Sequence, residues 1–393
     1  MKILVDTESY WPNRDGGSVF ERNLVLGLGA RGHDVRVVAP SPTGRPYIQK
    51  DGTSQIHRVR SFRTPGKFGR VGARGAFFPK RTIRSLIKEW QPDVIHGHNL
   101  FSIGLATFSI SQETNVPYVA TNHNMPENLM DNIGPLRRLI PGGAERVWRW
   151  QIGYLNRADF VTSPTQTAVD MLLAHGLTAP NRPVSNGVDL KRYRPDVRGV
   201  AELGKKLGLP KDKPVVLYMG RLDGEKRMDV WIRSIPDIRK EIDAHFLIGG
   251  RGGVTPELQR LAASLGVAEH VTFAGLVEDD DLPAFYCLGT VFAISSPAEL
   301  QSLVTLEAMA AGRPVVACDA GALPELCKSG RNGYLFLAGD PKGMAKSVTR
   351  ILKNPSMAEK MGAESRRIVE DTHDLKEMPK NYEAIYKEVL AAN

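Results

Sequence analysis

Two glutamates stand eight residues apart in the stretch 297–325, PAELQSLVTLEAMAAGRPVVACDAGALPE. Glu299 follows the turn-forming sequence Ser-Ser-Pro, and Glu307 falls in a run, 303–309, in which apolar residues recur at helical spacing. Ser302 is expected to cap the start of this helix. A helix start offers free backbone N–H groups and the positive end of a dipole. The stretch therefore predicts a binding site for an anionic group such as a diphosphate, with a carboxylate on each side of the helix start.

Two cations stand five residues apart in the loop 220–226, GRLDGEK. The loop follows a predicted buried strand, 214–219, and precedes a predicted helix that begins at Met228. Two fixed cations can neutralise the charge that grows on a departing anionic group. Arg221 and Lys226 are therefore candidates for binding a diphosphate.

The N-terminal half carries two further candidate sites. Gly16 and Gly17 lie between a predicted strand, 2–5, and a predicted helix, 19–30, so that this turn could cradle a phosphate or allow a sugar to approach closely. His123 stands just past a predicted strand, 117–121, at the end of the sheet where α/β proteins bind ligands. The alternative for His123 is a structural role, in which it caps the next helix or bonds the backbone.

Taken together, these motifs resemble the retaining glycosyltransferases of family 4, which have the GT-B fold. Glu299 and Glu307 match the family's E-x7-E signature, and Arg221 and Lys226 match its G-R-L-x-x-E-K motif. The glycine pair, the D-V-x-H-x-H pattern at 93–98 and the N-G-V-D sequence at 186–189 match as well. The family commonly has Phe-Gly after the first glutamate, whereas Leu-Gln stands there in this chain, so the identity of the donor sugar stays open.

The resemblance implies that a hexose moves with retention from a nucleoside diphosphate sugar to an acceptor hydroxyl, giving an α-linkage. Uridine diphosphate sugars are the favoured donors and guanosine diphosphate mannose is the main competitor. By the family's pattern, Glu299 orients the sugar, Glu307 holds the ribose and His123 contacts the outer hydroxyls of the sugar. The expected catalytic residues are His123, Glu299, Arg221 and Lys226; the expected donor-binding residues are Gly16, Gly17, Arg221, Lys226, Gln301, Ser302, Leu303 and Glu307. No metal or other cofactor is implied.

Predicted strands and helices alternate through both halves of the chain, which indicates an α/β protein with two doubly wound, Rossmann-like domains. The resemblance adds that the domains face a cleft. We place an N-terminal acceptor-binding domain at 1–188 and a C-terminal nucleotide-sugar-binding domain at 189–378. A last helix, about 379–391, is expected to return to the N-terminal domain. Residues 40–80 hold most of the loop signals.

The net charge of +9 comes from the N-terminal half, because residues 1–185 carry 23 Lys and Arg against 14 Asp and Glu. Residues 52–88 contain ten basic residues and no acid, interleaved with phenylalanines. This mixture suits an anionic membrane surface or a nucleic acid. Because no nucleic-acid-binding motif accompanies it, we expect the segments 58–88 and 137–150 to contact a membrane. The acceptor is then a lipid, or alternatively a soluble small molecule or saccharide.

No apolar run reaches the length of a membrane span, and the N-terminus does not have the pattern of a signal peptide. Three cysteines without metal or redox spacing suit a reducing compartment. We therefore expect a cytoplasmic protein that can be peripheral on the inner face of the membrane.

Two other functions stay open from sequence. One is a sugar-nucleotide 2-epimerase on the same fold, and the other is a nonenzymatic membrane or nucleic-acid binder that uses the basic run. The acidic run 278–281 could suggest metal ligands, but acids directly before a helix also stabilise its start, and we favour that explanation.

Overall fold

The computed structural model describes residues 1–13, 15–64, 74–126 and 142–393. The contacts within it divide the chain into two compact units, Met1–Asn186 with Lys376–Asn393, and Gly187–Leu375. The boundaries expected from sequence, at 188 and 378, lie within three residues of these. Each unit is described separately below.

Strands and helices alternate along the described chain. The strands are β1 Lys2–Asp6, β2 Asp34–Pro40, β3 Tyr47–Asp51, β4 Ser54–Val59, β5 Ser61–Arg63, β6 Arg74–Ala76, β7 Val94–Gly97, β8 Tyr118–Thr121, β9 Phe160–Ser163, β10 Asn181–Pro183, β11 Val215–Met219, β12 His245–Gly249, β13 Val271–Gly275, β14 Val291–Ile294, β15 Val315–Cys318 and β16 Gly333–Phe336. The helices are α1 Gly16–Ala30, α2 Pro79–Trp90, α3 Ser102–Thr114, α4 Gly143–Leu155, α5 Gln166–Ala174, α6 Val200–Lys206, α7 Met228–Arg239, α8 Thr255–Ser264, α9 Leu282–Leu288, α10 Leu303–Ala310, α11 Leu323–Leu326, α12 Pro341–Leu352, α13 Pro355–Thr372 and α14 Glu377–Ala392.

The first unit is built on a sheet with the strand order β10-β9-β8-β7-β1-β2-β4-β3. Its strands are parallel except for β3, which pairs antiparallel with β4 at one edge. The central strands are buried throughout; β7 and β8, for example, expose no residue. Burial on both sides is the expected pattern for a parallel sheet covered by helices.

Residues 40–80, which hold most of the loop signals, also contain four strands that the sequence did not predict. Strands β3 and β4 extend the main sheet there, and β5 and β6 form a separate antiparallel pair. Strand β4, SQIHRV, alternates between buried and half-buried positions along most of its length. A half-covered strand with polar residues on one face carries a weaker sequence signal than the continuous apolar runs of the central strands.

The C-terminal helix α14 packs in the first unit, against α1. Gly27 of α1 makes this close approach possible, because a Cβ built there would lie 2.3 Å from the Cγ of Pro379. Tyr382 and Tyr386 of α14 are fully buried, and the Tyr386 hydroxyl lies 2.6 Å from Nδ1 of His96. The end of the chain therefore completes the core of the first unit.

The second unit is built on a fully parallel sheet with the order β13-β12-β11-β14-β15-β16. Its core is one cluster that includes Trp231 and Phe246, with the indole N–H of Trp231 donating to the carbonyl of Ala293. Both units are thus doubly wound α/β folds, as predicted. In the part of the chain that the structure describes, none of the helices combines the length and hydropathy of a membrane span.

Candidate active site

The sequence-predicted residues follow the strands at which each sheet reverses its winding. In the first sheet the order reverses between β1 and β7, and in the second between β11 and β14. Ligands of open α/β sheets bind beside the carboxyl ends of such strands. Gly16 and Gly17 follow β1, whereas the Arg221–Lys226 loop follows β11 and Glu299 follows β14. Topology thus places these predicted residues where this fold binds ligands.

Lys226 and Glu299 meet across 73 residues of sequence. The Lys226 ammonium donates to Oε1 of Glu299 at 2.7 Å and lies 3.7 Å from Oε1 of Glu225. The side chains of Lys226 and Glu299 are only 16% and 12% exposed. A charge-assisted hydrogen bond that is largely shielded from water holds both groups in fixed positions. The cation of the loop and the first glutamate of the E-x7-E pair are therefore neighbours.

Arg221 lies at the same loop but is more open to solvent. Its guanidinium pairs with Asp223 and, at 2.6 Å, with Oε1 of Glu225, and its side chain is half exposed. Glu225 therefore lies between the two predicted diphosphate ligands and accepts from Arg221. Arg221 is therefore held in position by its acidic partners while half of its side chain stays exposed.

Backbone contacts hold the 220–226 loop in place. Gly250, with a φ of 114°, approaches Gly220 so closely that a Cβ would lie 1.9 Å from the Gly220 carbonyl oxygen. The Leu222 N–H also donates to the carbonyl of Arg251 at 3.1 Å. On the other side, the Ser295 hydroxyl donates to the carbonyl of Lys226 at 3.0 Å. The glycine loop after β12 therefore packs against the loop that carries Arg221 and Lys226 and holds it in place.

Helix α10 begins as predicted, with Ser302 as its N-cap. The Ser302 hydroxyl accepts from the N–H of Thr305 at 3.3 Å, and the first helical bond runs from the Leu306 N–H to the Ser302 carbonyl at 3.1 Å. The backbone N–H groups of Leu303 and Val304 have no hydrogen-bond partner among the described residues. Such a helix start is suited to an anion. Gln301, directly before the cap, is 8% exposed.

Glu307 is surrounded by different partners from Glu299. Its Oε2 accepts from the hydroxyl of buried Tyr286 at 2.5 Å, and the Tyr193 hydroxyl bonds it as well. The rings of Tyr193 and Tyr286 contact edge to face at 5.8 Å, which fixes both hydroxyls. Burial raises the pKa of Glu307, while the two tyrosine hydroxyls and the positive charge of Arg192 oppose the shift. The two glutamates thus occupy distinct environments, one cationic and one tyrosine-lined.

The acidic run 278–281 forms ion pairs instead of gathering around a metal position. Asp279 lies 2.9 Å from Arg192 and Asp281 lies 3.2 Å from Lys206. The run ends in a short 3-10 turn, Asp279–Asp281, immediately before α9. Within the described ranges, no group of three or more His, Cys, Asp and Glu side chains is arranged to hold a metal ion.

In the first unit, Gly16 and Gly17 form the first turn of α1. Asp15 caps this helix, accepting from the Ser18 N–H at 3.0 Å, and its other oxygen accepts from the Ser9 hydroxyl at 2.6 Å. A Cβ on Gly17 would lie 3.2 Å from Oδ1 of Asp15, so a side chain there would crowd the cap. The predicted glycine turn is therefore a helix start with its backbone close to the surface.

His123 follows β8 and is held by aromatic packing. Its ring lies 4.5 Å from that of Phe20 and stacks on His98 at 5.6 Å. Burial lowers the pKa of His123 to about 4, although the charge of Asp15 opposes this shift. Nε2 of His123 has no hydrogen-bond partner among the described residues. The imidazole is thus neutral at pH 7, with one ring nitrogen free to bond a ligand.

Two other histidines lie behind His123, and they differ. His96 is satisfied on both sides, by Tyr386 and by Thr121 at 2.6 Å each, so it is a core residue. His98 is 1% exposed, and neither ring nitrogen has a partner within the described part of the chain. Burial holds the pKa of His98 well below its usual range. His98 is therefore a buried neutral group with unused hydrogen-bonding capacity.

Sequence reasoning missed several of these residues. Tyr193, Tyr286 and Glu225 surround the predicted site residues, and His98 was noted only as part of a motif. The tyrosines lie 114 and 21 residues from Glu307, so that local spacing gives no signal for their contact. Glu225 stands within the G-R-L-x-x-E-K motif itself, and this position could have been included.

Part of the basic run does not lie on the surface. Arg58 is 3% exposed and donates to the carbonyls of Pro40, at 3.2 Å, and Trp11. Trp148 is 2% exposed and stacks on His175 at 3.9 Å. The expectation that 58–88 and 137–150 face a membrane throughout is therefore wrong at these two residues. Lys67, Arg70, Arg137 and Arg138 lie outside the described residues.

Comparison with known proteins agrees with this architecture. Residues 14–192 match the family model described as Glycosyltransferase Family 4, and residues 213–354 match Glycosyl transferases group 1. Among solved structures, sucrose-phosphate synthase from Thermosynechococcus elongatus superimposes with a TM-score of 0.81 over 100% of both chains, at 21% identity. This likeness shows the GT-B fold, and the two matched family models show that the protein is a glycosyltransferase.

The similar proteins of known activity lead to the same family. Alpha-monoglucosyldiacylglycerol synthase of Streptococcus pneumoniae (strain ATCC BAA-255 / R6) is 25% identical over 363 residues, which are 91% of this chain and 80% of that protein. D-inositol 3-phosphate glycosyltransferase of Streptomyces scabiei (strain 87.22) is 31% identical over 283 residues, 69% of this chain and 62% of that one. The chain belongs to glycosyltransferase family 4, and it is a hexosyltransferase.

Proposed function

We propose that the protein transfers a hexose, with retention of configuration, from a nucleoside diphosphate sugar to a hydroxyl of a membrane lipid. The second unit binds the donor and the first unit binds the acceptor. The observation that carries the proposal is the 2.7 Å contact of Lys226 with Glu299, beside the capped start of α10 at Ser302. It joins a fixed cation, a carboxylate and free backbone N–H groups, which together suit a sugar diphosphate.

The proposed reaction breaks the bond between the sugar C1 and the diphosphate oxygen, and the electron pair leaves with the diphosphate. Lys226, Arg221 and the N–H groups of Leu303 and Val304 neutralise the growing negative charge. The acceptor hydroxyl attacks C1 from the same face, and its proton passes to the leaving diphosphate oxygen. We propose that no metal is required, because these groups supply the positive charge.

The remaining residues position the donor. Glu299, held by Lys226, orients the sugar, and Glu307 accepts from the ribose hydroxyls. His123 presents a neutral ring nitrogen to the outer hydroxyls of the sugar, and the turn at Gly16 and Gly17 lets backbone N–H groups come close. We favour a uridine diphosphate sugar and keep guanosine diphosphate mannose as the competitor.

We also propose a peripheral location on the inner face of the cytoplasmic membrane, which the exposed part of the basic run supports. Helix α2 exposes a basic face that consists of Lys80, Arg81, Arg84 and Lys88. Directly before the helix, Phe77 and Phe78 are 46% and 89% exposed. Basic side chains beside exposed aromatic rings are typical of a surface that binds anionic lipid.

The test is a screen of donors followed by analysis of the product. UDP-glucose, UDP-galactose and GDP-mannose are compared for thermal stabilisation, since a ligand at 100 times its Kd adds about 2.7 kcal/mol. The donor selected is incubated with diacylglycerol vesicles, and the anomer is read by NMR; an α-linked product is expected. Stabilisation by none of the three, or a β-linked product, would contradict the proposal.

The same assay separates the alternatives. A 2-epimerase would release nucleoside diphosphate or change the sugar without any acceptor, whereas the proposed transferase turns over only slowly without one. Transfer to a soluble saccharide that exceeds transfer to vesicles would make the soluble-acceptor function the better one. Lys226→Ala serves as the inactive control in each comparison.

A further inference from the structure

A cavity of about 170 Å³ lies in the first unit, between the carboxyl ends of β7 and β8 and helix α4. The residues that line the cavity are buried at its inner end and exposed at its mouth. Tyr118, Gln151 and Tyr154 are at most 7% exposed, whereas Phe101 and Trp150 are each 47% exposed. The cavity therefore holds a small group within and presents an aromatic rim.

The inner wall is polar and uncharged. Among the described residues that line it there is no Lys, Arg, Asp or Glu. The Gln151 amide donates to Oδ1 of Asn122 at 2.7 Å, and the buried His98, which also lines the cavity, is neutral because burial lowers its pKa. Burying an anion here would cost far more than burying a hydroxyl, since nothing compensates its charge. The cavity thus suits an uncharged, hydroxylated group.

The rim continues into an exposed aromatic surface. Phe62 packs on Phe77 at 4.7 Å between ring centroids, and Phe77 on Phe78 at 6.5 Å. The N–H of Ala76, directly before Phe77, donates to the hydroxyl of Ser102, directly after Phe101, at 3.1 Å. This hydrogen bond joins the segment with the exposed phenylalanines to the rim of the cavity. An alkyl chain that leaves the cavity past Phe101 therefore meets further apolar surface.

The cavity also adjoins His123, a residue of the same unit. Asn122 and Asn124 line it, and they flank His123 in sequence. The His123 ring stacks on His98, which lines the cavity as well. A hydroxyl bound near His98 therefore lies next to the group that is proposed to contact the donor sugar.

We propose that this cavity is the acceptor site and that its occupant is an uncharged glycerolipid. Its hydroxylated head lies between His98 and Gln151, and its alkyl chains run past Phe101 and Trp150 toward Phe77 and Phe78. The inference rests on the proposed transferase function and narrows its acceptor. We expect anionic acceptors, such as an inositol phosphate or phosphatidylinositol, to be poor substrates, because no described residue of the wall carries a positive charge.

The first test compares acceptors with one donor, the nucleotide sugar that stabilises the wild-type protein most. The probes are dioctanoylglycerol, dioctanoyl phosphatidylinositol and inositol 3-phosphate. We expect dioctanoylglycerol to exceed both anionic probes at least tenfold in kcat/KM. An anionic probe that equals or exceeds it would overturn the inference.

The second test fills the cavity. Val147→Trp should raise the KM for dioctanoylglycerol at least tenfold and leave the Kd for the nucleotide within twofold. Leu173→Trp is the matched control, since Leu173 is 44% exposed on α5 and does not line the cavity, and it should change neither constant. An unchanged acceptor KM in folded Val147→Trp would overturn the inference. Failure of the wild-type protein to bind any nucleotide sugar would instead contradict the proposed function.

A third measurement does not depend on turnover or on variants. Wild-type protein is irradiated with an octylglycerol that carries a diazirine on its chain, and the adducts are mapped by mass spectrometry. We expect adducts at the rim, on Phe101 or Trp150, that dioctanoylglycerol competes away. Adducts confined to other parts of the chain would contradict the assignment, even if Val147→Trp does not fold.

Discussion

The candidate sites of the two units occupy similar topological positions, but one is built from charged residues and the other from neutral ones. In the second unit, Arg221, Lys226 and Glu299 are charged and are held by one another or by neighbouring acids. In the first unit, His98 and His123 are neutral, packed among aromatic rings, and partly unpartnered among the described residues. His98, like the three charged residues, follows a strand where a doubly wound sheet reverses, and His123 follows the neighbouring strand β8. The fold thus sets where ligands bind, while the side chains set which kind.

This difference matches the two proposed substrates. A nucleoside diphosphate sugar carries its charge into the site, so fixed cations and a helix start are required there. An uncharged acceptor needs hydrogen bonds and apolar surface. A charged residue beside it would lose its contact with water and gain no opposite charge in return, which is unfavourable. Lys80, Arg81, Arg84 and Lys88 lie on the exposed face of α2, and none of these four cations lines the cavity.

The charged site should be the more sensitive of the two, beginning with Lys226. Lys226→Ala removes the cation that is fixed against Glu299, so kcat/KM should fall about 10²-fold or more, as for loss of a preorganised electrostatic group. Arg221→Ala should act in the same direction. Lys213→Ala, which removes a cation of the same unit that pairs with Asp243 at 2.7 Å, is the control. Near-wild-type turnover in both site variants would remove the basis for the diphosphate assignment.

Within the second unit, the two glutamates should separate. Glu307→Ala should weaken nucleotide binding by roughly tenfold to a hundredfold, since a hydrogen bond to a charged group contributes about 1.5–3 kcal/mol. Glu299→Ala should mainly lower kcat, because Glu299 bonds Lys226, whereas Glu307, with Tyr193 and Tyr286, is proposed to bind the ribose. Calorimetry with the nucleoside diphosphate and steady-state kinetics measure the two effects. Equal losses of nucleotide affinity would contradict the division.

Tyr286→Phe sharpens this comparison, because it keeps the ring in the core and removes only the hydroxyl that bonds Glu307. We expect Tyr286→Phe to weaken nucleotide binding less than Glu307→Ala does. For a nucleotide that lacks its ribose 2′- and 3′-hydroxyls, Tyr286→Phe should bind as tightly as the wild-type protein. The same loss with the deoxy nucleotide would indicate a general structural effect.

The sequence was sufficient for features whose signals are local. Ser302 caps α10 as predicted, and a helix, α9, follows the acidic run 278–281 as predicted, because caps, apolar periodicity and glycine turns act over a few positions. Contacts between distant segments were out of reach. The pairing of Lys226 with Glu299 and of Tyr286 with Glu307 depends on which strands become neighbours, and no spacing rule encodes it.

Some errors had a signal that was overlooked. Arg58 was counted with the surface cations, yet Ser54, Ile56 and Arg58 share one face of β4 at a period of two, and all three are buried. Likewise Trp148, Ile152 and Leu155 follow helical spacing on α4 and are buried, whereas Arg149 and Trp150 point elsewhere and are exposed. Composition alone predicted that both segments lie on the surface. Their periodicity would have separated the buried residues from the exposed ones.

The neutrality of the first unit extends to Asp6, which lies behind the cavity wall and accepts from the Tyr118 hydroxyl at 3.1 Å. Burial raises the pKa of Asp6 from 3.8 to about 8. Between these values the unfolded chain loses a proton that the folded chain keeps, so stability falls as pH rises, by at most about 1.4 kcal/mol per pH unit. Asp6→Asn should therefore gain stability relative to the wild-type protein from pH 5 to pH 7.5.

Urea midpoints at both pH values test this expectation. Asp93→Asn, which changes an exposed acid of the same unit, is the control and should follow the wild-type protein. Parallel changes of Asp6→Asn and the wild-type protein with pH would show that Asp6 does not carry its proton in the folded state.

The smallest effect concerns the charge that the first unit keeps outside its site. Each Lys or Arg near an anionic membrane contributes roughly 1 kcal/mol, which is about fivefold in partitioning. Arg81 has no ion pair among the described residues, whereas Arg84 pairs with Glu113 at 2.6 Å on neighbouring α3. Arg81→Ala should therefore lower binding to anionic vesicles about fivefold, and Arg84→Ala less, because the Arg84 charge is already balanced by Glu113. Sedimentation with vesicles at low salt measures both, and 1 M salt, where the Debye length is about 3 Å, should abolish the difference. Equal losses in the two variants, or a difference that survives 1 M salt, would show that α2 does not bind the membrane through its free charge.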